Sequence, residues 1–445
     1  MTQEEAIRRE NRKLRAKEVK KMGRQKSFIC IDLKSFYASV ECVERGLDPF
    51  KTNLVVADPT RSQSTICLAI TPAMKKLGVK NRCRIHEIPA GIEYITAMPR
   101  MQLYIDYSAR IYSIYLRYIS KEDIHVYSID ECFMDVTNYL SLYHMTEKEM
   151  AVELMDAVMK ETGITATAGI GTNLYLAKVA MDIVAKHVED HIGILNEISY
   201  RQQLWDHRPL SDFWRIGSRT EKKLAGYGIH TMGDIAYKSV ASEEWLYKMF
   251  GIDAELLIDH AWGMESCDIH DIKNYHTEEH SLSNGQVLMR NYSFEEAAVV
   301  VREMTDVLVL DLVSKGLITG SVTLWIAYDH RYERPSSHGT VRLTSLTNSS
   351  STIMDEVDKL YQKITDRHTG IRRIEICANR VMPEGYLQYD LFTDPAAVEK
   401  EKNLQQAILD VKKRYGKNAI MRGANLLDCS TYRERNNQIG GHRKS

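Results

Sequence analysis

The stretch Phe28-Ile29-Cys30-Ile31 is wholly apolar and ends on Asp32. A carboxylate at the end of a buried strand is costly unless something compensates it. A fold that accepts this sequence must therefore gather compensating groups at that strand's end. The pattern downstream supplies the other elements. Residues 36–43 carry a helical pattern, 54–57 and 65–70 read as short strands, and 72–77 reads as a helix closed by Gly78. Residues 101–119 read as a long helix with Leu103, Tyr107, Ile111, Ile114 and Tyr118 at helical spacing. A strand hairpin follows at 126–136, then a helix at 150–160, a strand at 164–170 and a helix at 174–186. This is an α+β arrangement with carboxylates at strand ends.

Length and composition bound the remaining possibilities. A chain of 445 residues predicts about three domains. Its 44% apolar content is enough to bury real cores. No apolar run approaches the ~20 residues that span a bilayer, and the charged N-terminus lacks the apolar core of a secretory signal. The eight cysteines include no Cys-x-x-Cys pair, which predicts reduced thiols in a cytoplasmic protein without a zinc site or a disulfide framework. The net charge of −1 does not advertise a nucleic-acid partner, yet residues 8–26 hold ten Lys or Arg against two Glu. That arm could sit on a phosphate backbone, but taken alone it suits a solvated helix slightly better.

Two later segments have their own organisation. Between Leu210 and Ala236, Gly217, Gly226 and Gly228 punctuate two short helices in a helix-hairpin-helix pattern. Its backbone N–H groups could hold a DNA phosphate. Beyond a polar stretch at 268–279 comes the order β-α-β-β-α-β, with Ser293 and Glu296 forming a capping box for its first helix. Both helices should cover one face of that sheet. The other face, with Arg290, Thr340, Arg342 and Thr344, would be open to nucleic acid.

The second carboxylate cluster is Ser128-Ile129-Asp130-Glu131, within the hairpin. Adjacent strand residues face opposite ways, so Asp130 and Glu131 can act together with Asp32 only if a turn or bulge bends the backbone. Three hard carboxylates without softer ligands suit Mg²⁺, and two such ions could activate a 3′-hydroxyl and stabilise a pyrophosphate leaving group. By itself the tetrapeptide fits an exposed hairpin turn better than a metal site.

Three longer motifs resemble those of the Y-family DNA polymerases of the UmuC/DinB type. They are residues 31–41 (IDLKSFYASVE), residues 127–136 (YSIDECFMDV), and Ala168-Gly169-Ile170-Gly171 followed by Asn173 and Leu176-Ala177-Lys178-Val179-Ala180. They occur in the family's order, and the likeness runs from about residue 27 to the C-terminus. The ending, residues 433–442, resembles that of UmuC-like proteins of Gram-positive bacteria, their plasmids and phages.

The resemblance implies a right-hand polymerase. The expected parts are a palm (27–37 and 101–190), small fingers (38–100), a helix-hairpin-helix thumb (191–267), a linker (268–279), a little finger (280–382) and a tail (383–445), after a basic extension (1–26). It implies translesion synthesis from dNTPs on primer-template DNA, in DNA repair and the SOS response, with two Mg²⁺ ions. Asp32, Asp130 and Glu131 match the metal-binding acids, with the Leu33 carbonyl as a further ligand. Tyr37 matches the steric gate under the nucleotide sugar, beside Phe36. Lys75 and Lys186 would neutralise the triphosphate, although the helix before Lys186 carries one extra residue. Lys178 would orient the palm acids or serve structure.

Lys34 replaces a second Asp of many relatives, and Pro72 and Lys75 replace the Tyr and Arg of their nucleotide clamp. Lys lacks the bidentate fork of Arg. These departures support an alternative, a catalytically weak DNA- and clamp-binding protein that keeps the polymerase shape. Gln388, Leu391 and Phe392 resemble the peptide by which bacterial polymerases bind the sliding clamp, and the family also admits a UmuD-like accessory subunit.

Overall fold

The computed structural model describes residues 26–61, 64–275, 281–386 and 394–445. The chain divides into two compact units, residues 1–275 and 276–445. The basic arm up to residue 25 and the peptide Gln388 to Phe392 lie outside the described residues.

The strands of the first unit are β1 (Phe28–Leu33), β2 (Leu54–Val56), β3 (Ala69–Ile70), β4 (Ile95–Ala97), β5 (Ile124–Val126), β6 (Glu131–Asp135), β7 (Ala166–Gly171) and β8 (Ile192–Leu195). Five of them form a sheet in the order β5-β6-β1-β7-β8. The apolar run of β1 is explained by its central place, antiparallel to both β6 and β7. Phe28, Cys30 and Phe133 pack there against Leu174, Ala177 and Met181 of the helical segment that follows β7.

That segment rests directly on the sheet because the sheet offers glycine where it touches. A Cβ at Gly169 would lie 2.1 Å from the Ala177 carbonyl oxygen, and one at Gly171 would lie 2.2 Å from the Ala177 nitrogen. Gly193 on β8 is equally close to Ala180. Asn173 caps the segment, accepting from the Leu176 N–H at 2.8 Å. The segment runs as α-helix over Leu174–Val179, as a π turn over Ala180–Val184 and as a 3-10 turn over Ala185–His187. A π turn closes i→i+5 bonds and so takes up an extra residue. Such a turn has room for the extra residue that the family resemblance implies ahead of Lys186.

A small sheet, β3-β2-β4, packs with the helix Pro72–Lys76 around Val55, Ile70, Met74 and Val79. Its strand β4, parallel to β2, was not anticipated from sequence. The long helix ends early, at Tyr115, and its buried stripe is Met101, Tyr104, Ile111, Ile114 and Tyr115. The expected Leu103, Tyr107 and Tyr118 are only half-buried, since the true stripe lies one residue round the helix.

The two helices around the glycine turn are Ser218–Ala225 and Met232–Phe250. Gly228 takes a φ of +75° between them, a conformation that favours glycine. Thr231 and Asp234 form a capping box at the second helix. The expected linker is partly folded: Asp268 caps the helix Ile269–Asn274, and Ile269 is buried in the same cluster as Phe28.

The second unit adds β9 (Leu282–Tyr292), β10 (Leu317–Tyr328), β11 (Ser337–Thr347) and β12 (Ile371–Asn379), ordered β11-β10-β12-β9. The helices Phe294–Ser314 and Ser350–Ile364 cover one face, burying Leu288, Leu324, Ile326, Ile374 and Ile376 against Val300, Met304, Ile353 and Val357. Burial alternates along most of β11 and the second half of β10, as expected for a sheet covered on one side, while residues 318–322 of β10 are buried throughout. The expected β-α-β-β-α-β order, with its Ser293–Glu296 capping box, is what forms.

The C-terminal segment is more ordered than a tail. A helix spans Pro395–Tyr415, and residues 422–435 return to the helix Phe294–Ser314. Glu303 of that helix is buried and accepts from the side chain of Asn425 at 3.2 Å, the Thr431 N–H at 3.1 Å and the Ser430 hydroxyl. Arg422 pairs with Asp306 at 2.6 Å.

Candidate active site

The register of β1 against β6 sets Asp32 opposite Glu131. Cross-strand partners share a face, so their carboxylates stand side by side. Asp130 lies in the turn just before β6 begins, the bend that the sequence argument required. The Ser128 hydroxyl donates to Asp130 Oδ1 at 2.6 Å, and the Asp130 carbonyl accepts from the Leu33 N–H at 2.9 Å. The turn is thereby tied to the end of β1 at the residue after Asp32.

Electrostatics mark this corner as overcharged. Burial, then the charges of Asp130 and Glu131, push the Asp32 carboxyl from 3.8 up to about 7. Burial also raises Glu131, against the pull of Lys178. The Lys178 ammonium lies 2.8 Å from Glu131 Oε1 and 2.9 Å from Asp182 Oδ2. The Cys30 thiol donates to the same Glu131 Oε1 at 3.4 Å. Hard oxygen donors that burial and mutual repulsion together hold back from ionising fit a divalent cation, which would offset both. Another trio, Asp268, His270 and Asp271, also has ligand atoms within 4.8 Å of one another. There, however, Asp268 is committed to Lys26 at 2.5 Å and to its helix cap.

Lysines from three parts of the chain gather beside the acids. Lys34 is lowered to about 8 by burial and by Lys75, and Asp32 opposes that shift. Lys75 is lowered by burial and by Lys186, again against Asp32. Among the described residues none of Lys34, Lys75 and Lys186 has an ion-pair partner. Lys34 is half-buried, Lys75 and Lys186 are exposed, and three like charges that share no ion pair form a site for a polyanion. Lys34, from sequence only a departure from the family pattern, belongs to this group in the fold.

Phe36 is buried, while Tyr37 is half-buried and feels Asp130 and Arg82. The Tyr37 ring stacks on Tyr104 at 4.5 Å and 20°. Tyr104 in turn donates to buried Glu41 at 2.8 Å, and Arg100 clamps Glu41 at 2.8 and 2.9 Å. The sequence pattern gave no hint of this support.

The other expected residues are scattered. Gly217 precedes the first hairpin helix, and Gly226 and Gly228 follow it. Arg342 points outward from β11 beside Thr340, which pairs with Thr323 at 2.8 Å. Arg373, stacked over Trp325 at 5.3 Å, shares that open face and was missed. Arg290 is less available than expected, because its guanidinium grips Glu296 at 2.6 and 2.9 Å.

Two models of the impB/mucB/samB family match the chain, the main one over residues 31–182 and that of the C-terminal domain over residues 279–391. The "Putative UV-damage repair protein UvrX" of Bacillus subtilis (strain 168) is 30% identical over 94% of this chain and 98% of its own length. The chain belongs to the Y-family DNA polymerases of the UmuC/DinB type. "DNA polymerase IV 2" of the same organism is likewise 30% identical, over 95% of this chain and 100% of its own. Among solved structures, the "Y-family DNA polymerase chimera Dbh-Dpo4(243-245)-Dbh" aligns at a TM-score of 0.62 and 21% identity, covering 80% of this chain and 99% of that one. The shared fold is the right-hand polymerase of this family.

Proposed function

We infer that the protein is a DNA-directed DNA polymerase of the translesion class, joining dNTPs to a primer 3′-hydroxyl with release of pyrophosphate. The observation that carries this reading is the adjacency of two opposite sites at one sheet end: Asp32, Asp130 and Glu131 beside Lys34, Lys75 and Lys186. A nucleoside triphosphate with its metal needs that pairing. Relatives named for UV-damage repair and for DNA polymerase IV support it.

In this reading Asp32, Asp130, Glu131 and the Leu33 carbonyl hold two Mg²⁺ ions. Bound there, such ions supply Lewis acidity at the attacking hydroxyl and at the leaving pyrophosphate. The lysines bind and orient the triphosphate, so most of the catalysis is positioning and charge stabilisation. Tyr37, held flat on Tyr104, excludes a 2′-hydroxyl. Phe36 supports the site from the core. The glycine turn and the open sheet face with Arg342 are assigned to DNA, with Arg290 contributing only if it leaves Glu296. Gln388, Leu391 and Phe392 are assigned to the sliding clamp, and a UmuD-like subunit is a further partner.

No helix among the described residues is long and apolar enough to cross a membrane. A DNA substrate places the protein in the cytoplasm, at the nucleoid. The test is primer extension by the purified full chain with Mg²⁺, on undamaged and lesion-bearing templates. Template-directed incorporation past the lesion is expected, and DNA binding without extension would favour the weakly catalytic alternative.

A further inference from the structure

One buried ammonium in this site serves two carboxylates. Lys178 Nζ lies 2.8 Å from Glu131 Oε1, and 2.9 and 3.1 Å from the two oxygens of Asp182. Lys178 is 7% exposed and Glu131 8%. Lys178 sits near the end of the α-helical turns and Asp182 within the π turn that follows. The π turn is an irregularity of the kind found at functional sites. Among the described residues, the side-chain contacts of Glu131 from Lys178 and from Cys30 both fall on Oε1.

We propose that Asp182 is a positioning residue that lets Lys178 release Glu131 when a divalent cation binds. The inference rests on reading Asp32, Asp130 and Glu131 as cation ligands. To serve as a cation ligand, Glu131 would have to give up its bond to Lys178. A buried ammonium that loses its only carboxylate is heavily penalised. Asp182 removes that penalty, because Lys178 already touches it and can shift its bonds there without leaving its pocket. Lysine's flexible stem and three rotatable donors suit such an exchange. Before the cation arrives, the same ammonium holds down the repulsion between Glu131 and its neighbours.

The exchange makes a prediction that a simple field of charges does not. Asp182 should matter only while Lys178 is present. Binding of Mn²⁺ alone to the full-length protein, counted by electron paramagnetic resonance without DNA or nucleotide, reads this directly. Asp182→Asn should weaken Mn²⁺ binding about tenfold, at the low end of what partners of metal ligands do. Lys178→Met should tighten it. In the Lys178→Met background, adding Asp182→Asn should change affinity by less than about twofold, the signature of full coupling in a double-mutant cycle. Equal weakening by Asp182→Asn in both backgrounds would overturn the exchange in favour of a through-space field. Weakening by Lys178→Met in a protein that melts normally would overturn it in favour of a structural role. Should Lys178→Met fail to fold, Lys178→Gln closes the same cycle. If the unaltered protein binds no more Mn²⁺ than its Asp130→Ala variant, the cation site itself fails, and the exchange with it.

Discussion

Replacing Asp32 by Asn should make the metal-free protein more stable while destroying its activity. The magnitude follows from the raised carboxyl, which moves from 3.8 to about 7. Each pK unit is worth 1.36 kcal/mol, so about three units amount to about 4 kcal/mol. Partial exposure of Asp32 to solvent reduces this to about 2–4 kcal/mol. The native state binds the Asp32 proton more tightly than the unfolded chain does. Its stabilising contribution is therefore complete below the unfolded value near 3.8 and is lost as the pH climbs through 7. At pH 8 the native protein bears the full penalty of an ionised, crowded carboxylate, which Asn avoids. For a unit of this size 1 kcal/mol corresponds to about 2–4 °C, so the variant should melt about 4–16 °C higher at pH 8 in EDTA. The gap should fall to less than half by pH 5, where the native carboxyl is protonated. Added Mg²⁺ should close it by stabilising the unaltered protein. Calorimetry of both proteins from pH 5 to 8 checks this. A variant no more stable at pH 8, or an advantage that persists undiminished at pH 5, would refute the electrostatic reading of the site.

Tyr37→Ala should let ribonucleotides in, because the ring fixed on Tyr104 would no longer exclude a 2′-hydroxyl; competition between rNTPs and dNTPs in single-nucleotide insertion measures it, and an unchanged preference would place the gate elsewhere. Gly169→Ala should destabilise the first unit by about 3 kcal/mol or more, since the new Cβ would lie 2.1 Å from the Ala177 oxygen; a melting temperature within 2 °C of normal would contradict that packing. The pair Leu391→Ala and Phe392→Ala should spare extension on short primers and remove stimulation by a loaded sliding clamp. Burial of each side chain is worth about 1.5–3 kcal/mol before ordering costs. Stimulation that survives the pair would end the clamp assignment.

The parts of the fold legible in sequence are those where one local pattern decides the outcome. The order β-α-β-β-α-β and a capping box announced the second unit's sheet and first helix. The apolar run ending on Asp32 required compensating groups, but the acids of the hairpin were singled out by the longer motifs that resemble the family, not by the tetrapeptide itself. What escaped depends on contacts distant in sequence. The strand Ile95–Ala97 is a short pairing with β2 that nothing local signals. Tyr104 lies 63 residues from the Glu41 it bonds. Lys34 could be grouped with Lys75 and Lys186 only once the fold had brought the three together. The C-terminal helix gave little apolar signal, because its less exposed side includes Gln405 and Lys412 while Leu404 is exposed. The docking of the following segment on Glu303 had none, because it depends on a buried carboxylate over a hundred residues away.

The most direct test of the central claim is Mg²⁺-dependent, single-turnover primer extension by the unaltered protein and by Asp130→Ala, with DNA affinity measured in parallel by fluorescence anisotropy. Asp130 is the acid in the turn tied to Leu33, so its loss should remove extension by at least about a thousandfold, about 4 kcal/mol of barrier, and leave DNA affinity within about threefold. Extension by Asp130→Ala at a rate near that of the unaltered protein would contradict the assignment of the reaction to this site.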